Sequence, residues 1–192
     1  MKDSRETLRP YIADMAAVVK HIEEAVARQQ NDDDFKKLPQ ALDLVNKLDT
    51  VLKRQAQQLE SHLEKFPAGG VAGAVKSTVT GVLGAVAGLY DKVRSETVSR
   101  GLRDDYTALN LAAISYTMLH TSGLALNESA TADLALRGLK ELTPLIMQLV
   151  EVIPHAVVNE LSQDGKTADA AVVQRAIRET QEAWAAPVPA HV

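Results

Sequence analysis

The sequence predicts an all-α protein folded as one helical bundle. Three observations carry that expectation. Aliphatic residues recur at spacings of three and four over long stretches, the signature of one buried helix face. Hydrophobic residues make up 46% of the 192-residue chain but aromatic residues only 4%. Such a core is filled by Ala, Leu and Val, and it lacks the β-branched and aromatic alternation of a β-sandwich. The turn signals NDDD, PAGG, Ser-Gly and DGKT fall between the periodic stretches, so no strand is required anywhere.

A first helix is expected to begin near Ser4 or Thr7. Asp3 with Glu6 resembles a capping box, and Pro10, tolerable in a first turn, favours the later start. Ile12, Met15, Ala16, Val19, Ile22 and Val26 form its stripe, opposite Lys20, Glu23, Glu24 and Arg28. It should end near Gln30, with 31–34 as a turn. Pro39 opens a second helix in which Leu38, Leu42, Val45, Leu48, Leu52, Ala56, Leu59, Leu63 and Phe66 repeat. Their period of about 3.5 residues predicts a long, nearly antiparallel partner for the first helix. The run at 67–70 stops it.

Residues 69–90 read as a glycine-rich linker helix. Gly69, Gly73, Ser77, Gly81 and Ala85 recur every four residues, and Gly84 with Gly88 adds a second pair. Small residues at that spacing let helix backbones approach closely, so Gly69, Gly73, Gly81, Gly84 and Gly88 are expected helix–helix contacts. The length also suits a membrane span of roughly 20 residues. Lys76, Ser77, Thr78 and Thr80 lie inside it, however, and a lysine at mid-bilayer costs about 2.5–3.5 kcal/mol on insertion scales. A soluble helix tucked into a groove of the bundle is the preferred reading, with membrane association as the alternative.

The third helix, 100–121, is expected to be central. Leu102, Tyr106, Leu109, Ala113, Tyr116 and His120 share a face, and Ser122–Gly123 should break it. Residues 124–129 form a loop with Ser129 as N-cap. A fourth helix, 130–161, carries Leu134, Leu139, Leu142, Ile146, Leu149, Ile153 and Val157, and Pro144 and Pro154 should bend or break it. After the turn at 164–167, an amphipathic helix at 168–184 presents Val172, Val173, Ala176, Ile177 and Trp184, and the tail 185–192 frays. The whole chain, 1–192, is one domain with its core bundle at 8–161.

Net charge is −4. The basic set Lys92, Arg94, Arg100 and Arg103 is diluted by Asp91, Glu96, Asp104 and Asp105, so no nucleic-acid partner is expected. The chain has no cysteine, which excludes disulfides, thiolate metal sites and cysteine nucleophiles. The polar N-terminus shows no apolar signal region, and a cytoplasmic location is expected.

Catalytic signatures are missing. No Glu-x-x-His occurs, although a carboxylate-bridged di-iron bundle needs two. Glu151 with His155 and Tyr116 with His120 are one-turn pairs, the former distorted by Pro154. Glu60 and His62 point to different sides of one helix. His21 lies beside the stripe of the first helix. Walker, GxSxG and HExxH motifs are absent. Asp104–Asp105 read as acids near a positive helix terminus, and Asp32–Asp34 lack the calcium-loop pattern.

The stretches RPYIADMAAVVKHIEEAV, LDTVLKRQAQQLESHLEKF, LRDDYTALNLAAISYTML and VEVIPHAVVNEL, with the small-residue linker before LRDDY, resemble the bacterial ferritin-like stress proteins of the YciE/YciF type. The resemblance covers most of 9–161 and implies a ferritin-like four-helix bundle with a di-metal centre between its helices. Where that family offers an acid or histidine, this chain has Met15 in the first helix. The slots of helices two and three fall near Val51 and Ala112, and Glu141 lies closest to the fourth. The resemblance therefore implies the fold with its metal ligands lost. The resulting expectation is a non-catalytic, cofactor-free and metal-free bundle with a greasy interior. It would be a stress-related or scaffold protein, and a homodimer or bound to another protein. A residual metal site using His120, His155 and Glu141 is the remaining alternative and requires those side chains to converge.

Overall fold

The structure is a computed structural model that describes residues 4–66 and 97–185. Segment 69–90, with Gly69, Gly73, Gly81, Gly84 and Gly88, lies outside the described residues, as do Asp3 and the tail 186–192. The fold is all-α. Its helices are α1 Ser4–Gln29, α2 Asp33–Lys37, α3 Pro39–Leu63, α4 Val98–Ala125, α5 Ser129–Gln163 and α6 Val172–Ala185, and no strand occurs among the described residues.

Helix α1 buries Leu8, Ile12, Met15, Val18, Val19, Ile22 and Val26 along one face. It starts at Ser4, the earlier of the two expected positions, so Pro10 lies inside the helix rather than in its first turn. Tertiary contacts explain how the lost backbone bond is tolerated. Arg9 donates through Nη1 to the carbonyls of Phe66 (2.7 Å) and Leu63 (3.3 Å), and Arg5 lies 5.2 Å from the centre of the Phe66 ring. Residues 31–34 are more than a turn. Asp32 caps the short helix α2, its carboxylate accepting from the backbone N–H of Asp34 (2.8 Å) and Phe35 (3.3 Å), and that helix seats Phe35 in the core. Helix α3 begins on Pro39 as expected, with Leu44, Val45, Leu48, Leu52, Ala56 and Leu59 buried.

The expected break at Ser122–Gly123 does not occur, and of the expected bend or break at Pro144 and Pro154 the break does not occur. Helix α4 runs through Ser122–Gly123 to Ala125, and α5 runs without interruption through Pro144 and Pro154. Gly123 is a point of close approach rather than a terminator, because a Cβ there would lie 2.7 Å from the backbone nitrogen of Ala132. Leu142, Leu145, Ile146 and Leu149 bury the flanks of Pro144, and this packing offsets the missing hydrogen bond. The turn into α5 uses Asn127 at φ 56°. Ser129 is the first helical residue, not the cap. Glu128 holds the cap position without a side-chain bond to the helix, and its carboxylate pairs with Arg5 at 3.3 Å.

The four long helices share one core, with α1 packed on α3, α4 on α5, α1 on α4 and α3 on α5. Their cross-contacts set the directions. Gln30 meets Asn46 while Arg9 meets Leu63, Gln29 meets Asp105, Ser99 meets Glu160, and His62 meets Thr131 while Gln55 meets Gly138. Each neighbouring pair is therefore antiparallel. The chain leaves at Phe66 beside Arg9 and re-enters at Thr97, which lies by Leu38 at the opposite end.

Helix α6 begins at Val172, after Asp169 accepts from the backbone N–H of Ala171 (2.9 Å), and it packs lightly on α5. Of its expected apolar face only Val173 is buried, while Trp184 is 62% exposed with its ring edge-on to Tyr106 at 5.8 Å. On α5, Ala156 is buried and Val157 is exposed, the reverse of the expected stripe. Among the described residues α5 is the one helix long and apolar enough to cross a membrane.

Candidate functional site

The inner line of α4 is Leu102, Asp105, Leu109, Ala112, Tyr116, Leu119 and Gly123. Tyr106, Ala113 and His120 sit half-buried on its shoulder, one position away from the expected register. The shift matters because it places Asp105 inside the bundle beside the expected Tyr116. The expected greasy interior is thus corrected: Gln55, His62, Asp105 and Thr131 are all buried as well.

The central group joins three helices. Tyr116 Oη donates to Gln55 Oε1 at 3.0 Å. Gln55 Nε2 donates in turn to the Gly138 carbonyl (3.1 Å) and to Glu141 Oε2 (3.0 Å). The other oxygen of Glu141 meets Arg54 Nη2 at 3.1 Å, which carries the chain of bonds to the surface. Gly138 makes room for the ring, since a Cβ there would fall 2.5 Å from Tyr116 Cζ. Burial, then the nearby Glu141 charge, pushes the Tyr116 phenol well above its usual range. The phenol stays protonated and is a fixed donor. With Glu141 neutralised by Arg54 and bonded by Gln55, the group orients and locks three helices.

Of the family-derived slots, Met15 and Ala112 are buried in the core, Val51 packs against it one turn from Gln55, and Glu141 is the sole carboxylate. His120 bonds to the Ala132 carbonyl at 2.8 Å, away from Tyr116. That point lies about two and a half turns of α5 before Glu141, and His155 lies about four turns beyond it, roughly 21 Å away. His120, His155 and Glu141 do not converge. Glu151 instead accepts from Gln181 of α6 at 2.8 Å. Among the described residues no three His, Asp or Glu side chains stand close enough to hold a metal ion.

Asp105 is fully buried and accepts from Gln29 Nε2 at 3.0 Å, so it is a core residue tying α4 to α1 and not a helix-end acid. The role expected of Asp104–Asp105 belongs to Glu160 of α5. It accepts from the Ser99 backbone N–H and hydroxyl, both at 2.7 Å, at the positive end of α4. Sequence reasoning had no means to find this residue, because it caps a helix from another one. Glu60 is exposed and His62 buried, on different sides of α3 as expected.

His62 Nε2 lies 2.9 Å from Thr131 Oγ1, and its ring packs at 5.0 Å on Phe66. Burial foremost, and then Lys65, lower its pKa from the ordinary 6.5, with Arg5 and Arg137 acting the same way and Glu128 opposing. The unfolded chain therefore binds a proton that the folded chain refuses. Stability is fully present above pH 6.5 and falls as the pH drops from there toward the folded-state value. Thermal melts between pH 7.5 and 5 should show a falling midpoint whose slope shrinks in His62→Gln. A slope unchanged by the substitution removes this assignment.

Comparison of the chain with protein-family models, with curated proteins and with solved structures finds no match.

Proposed function

We propose that this chain is a ferritin-like four-helix bundle without a working di-metal site, a scaffold or interaction protein that acts through its surfaces. The path of the chain supports the fold. Two antiparallel helix pairs, α1 with α3 and α4 with α5, share the core, and Phe66 of the first pair lies at the opposite end of the bundle from Thr97 of the second, the placement that ferritin-like bundles with a single long crossover have.

The observation that carries the functional reading is the filling of the bundle's middle. Three of the four positions where ligands would stand are Met15, Val51 and Ala112. The fourth, Glu141, already spends both oxygens on Gln55 and Arg54. One such carboxylate does not balance the charge of two metal ions, each of which draws on several oxygen or nitrogen donors. Outside, Tyr11, Ile114 and Met118 are exposed on the adjoining faces of α1 and α4 at 45%, 56% and 55%, which supports a homodimer or another protein partner.

Elemental analysis of the purified full chain for iron, manganese and zinc, alongside sedimentation velocity, tests the reading. Metal far below one ion per chain and a mass above that of the monomer are expected. Two tightly held ions per chain would sink the non-catalytic reading.

A further inference from the structure

The outer side of the α3–α5 seam forms a groove of ≈ 690 Å³. Its register follows from the cross-contacts: His62 meets Thr131 and Gln55 meets Gly138. Arg54 of α3 and Arg137 of α5 therefore stand at nearly the same level on opposite walls, with Gln57 and Gln58 beside them. Lys65, just past the end of α3, lies about three turns beyond Arg54 at the other end of the same groove. Leu134 and the edge of His62 contribute to its lining.

The charge here runs against that of the molecule. The chain carries a net −4, yet three cations line this groove against one lining carboxylate, Asp133. Arg54 is shared with Glu141. Among the described residues Arg137 and Lys65 make no ion pair. Lys65 and Arg137 both face His62 and disfavour a proton on it, with Glu128 opposing them. Structure that holds cations together without neutralising them leaves a site for an anion.

We propose that this groove binds a phosphate-bearing small molecule, held by Arg137 and Lys65 and oriented by the side-chain amides of Gln57 and Gln58. The volume falls within the range of about 300–1,000 Å³ typical of small-molecule sites. A guanidinium presents a planar fork to phosphate oxygens, and a lysine adds a point charge. The cations sit toward the two ends with Asp133 between, which suits a ligand with separated phosphates better than a continuous acidic helix. The inference stands apart from the scaffold reading and survives its failure.

Titration of the full-length chain with hexane-1,6-diol bisphosphate by calorimetry at low ionic strength tests it, with circular dichroism to verify folding of each variant. Arg137→Glu and Lys65→Glu should each weaken binding by roughly tenfold. Arg178→Glu, an equal change of net charge on α6, should leave it unaltered. Absence of bisphosphate binding, or equal loss in Arg178→Glu, overturns the proposal. So does a poly-glutamate peptide that binds through Arg137 and Lys65 where the bisphosphate does not, because the groove would then be a polypeptide surface.

Discussion

Gln55→Leu is expected to destabilise the fold by about 2 kcal/mol or more, although leucine fits the helix and the volume well. Gln55 is only 1% exposed, and its amide is the junction of the central group. Leucine would leave the Tyr116 hydroxyl buried without its acceptor and would take a donor from Glu141. An orphaned buried polar group costs about 1–3 kcal/mol, more where a charge is involved. The gain from added apolar surface, about 0.8 kcal/mol per buried methylene, offsets only part of this. The Gly138 carbonyl is affected least, since it also lies in the interior of α5.

The decisive comparison is with Gln55→Leu/Tyr116→Phe. Removing both partners of a hydrogen bond is nearly neutral, so the double variant should recover about 1 kcal/mol relative to the additive expectation. Urea denaturation of wild type, both single variants and the double variant supplies the cycle. If Gln55→Leu unfolds at the wild-type midpoint, or the two substitutions simply add, the tyrosine–glutamine bond contributes nothing to the fold.

The parts of this molecule that were legible in its sequence are those where one helix speaks for itself. Helix α3 is the clearest: Val45, Leu48, Leu52 and Leu59 repeat so regularly that their burial follows from spacing alone. Helix α4 defeats the same method. Positions 102, 109 and 116 belong to its inner line, but both 105/112/119 and 106/113/120 extend them at helical spacing. Tyr106 looks a better core residue than Asp105. Which side is inside depends on α1, where Gln29 waits to bond the aspartate. Gln55 was hidden for a related reason. A glutamine beside Arg54, Gln57 and Gln58 reads as part of a solvated face, and only Tyr116, far along the chain, gives it a buried partner.

Local signals also misled where packing outweighs propensity. Prolines at 10, 144 and 154 all lie within helices, because each is flanked by side chains that the core retains. Asp32–Asp34 looked like a turn, yet the first aspartate supplies two cap bonds and the next two accept from Lys36 and Lys37. The central polar group was invisible as a whole. It consists of common residues, none in a motif, and its members come from three helices.

Gly123→Ala should also be strongly destabilising, and it separates the close-approach reading of that residue from its reading as a helix stop. Alanine is the better helix former by up to about 1 kcal/mol, so a solvent-facing Gly123 would gain stability on substitution. In this fold the new methyl would lie 2.7 Å from the Ala132 backbone nitrogen, 3.0 Å from its Cα and 3.1 Å from its Cβ. No rotamer change relieves a clash with backbone. Helices α4 and α5 must move apart at the tight end of their hairpin. That end is also where His120 bonds the Ala132 carbonyl and the Glu128 N–H bonds the Gly123 carbonyl, both at 2.8 Å. Overpacking costs about 1–3 kcal/mol, and straining these two bonds adds to it, for a net loss of about 2 kcal/mol after the propensity gain. Gly101→Ala is the control, since its methyl would meet side chains rather than backbone, the Phe35 ring at 3.0 Å and Gln29 Nε2 at 3.5 Å. Chemical denaturation should order the three proteins as wild type and Gly101→Ala together, with Gly123→Ala well below. A Gly123→Ala protein as stable as wild type would mean that α4 and α5 do not meet at this distance. The placement of Gly138 against Tyr116, which depends on the same pair of helices, would then fall with it.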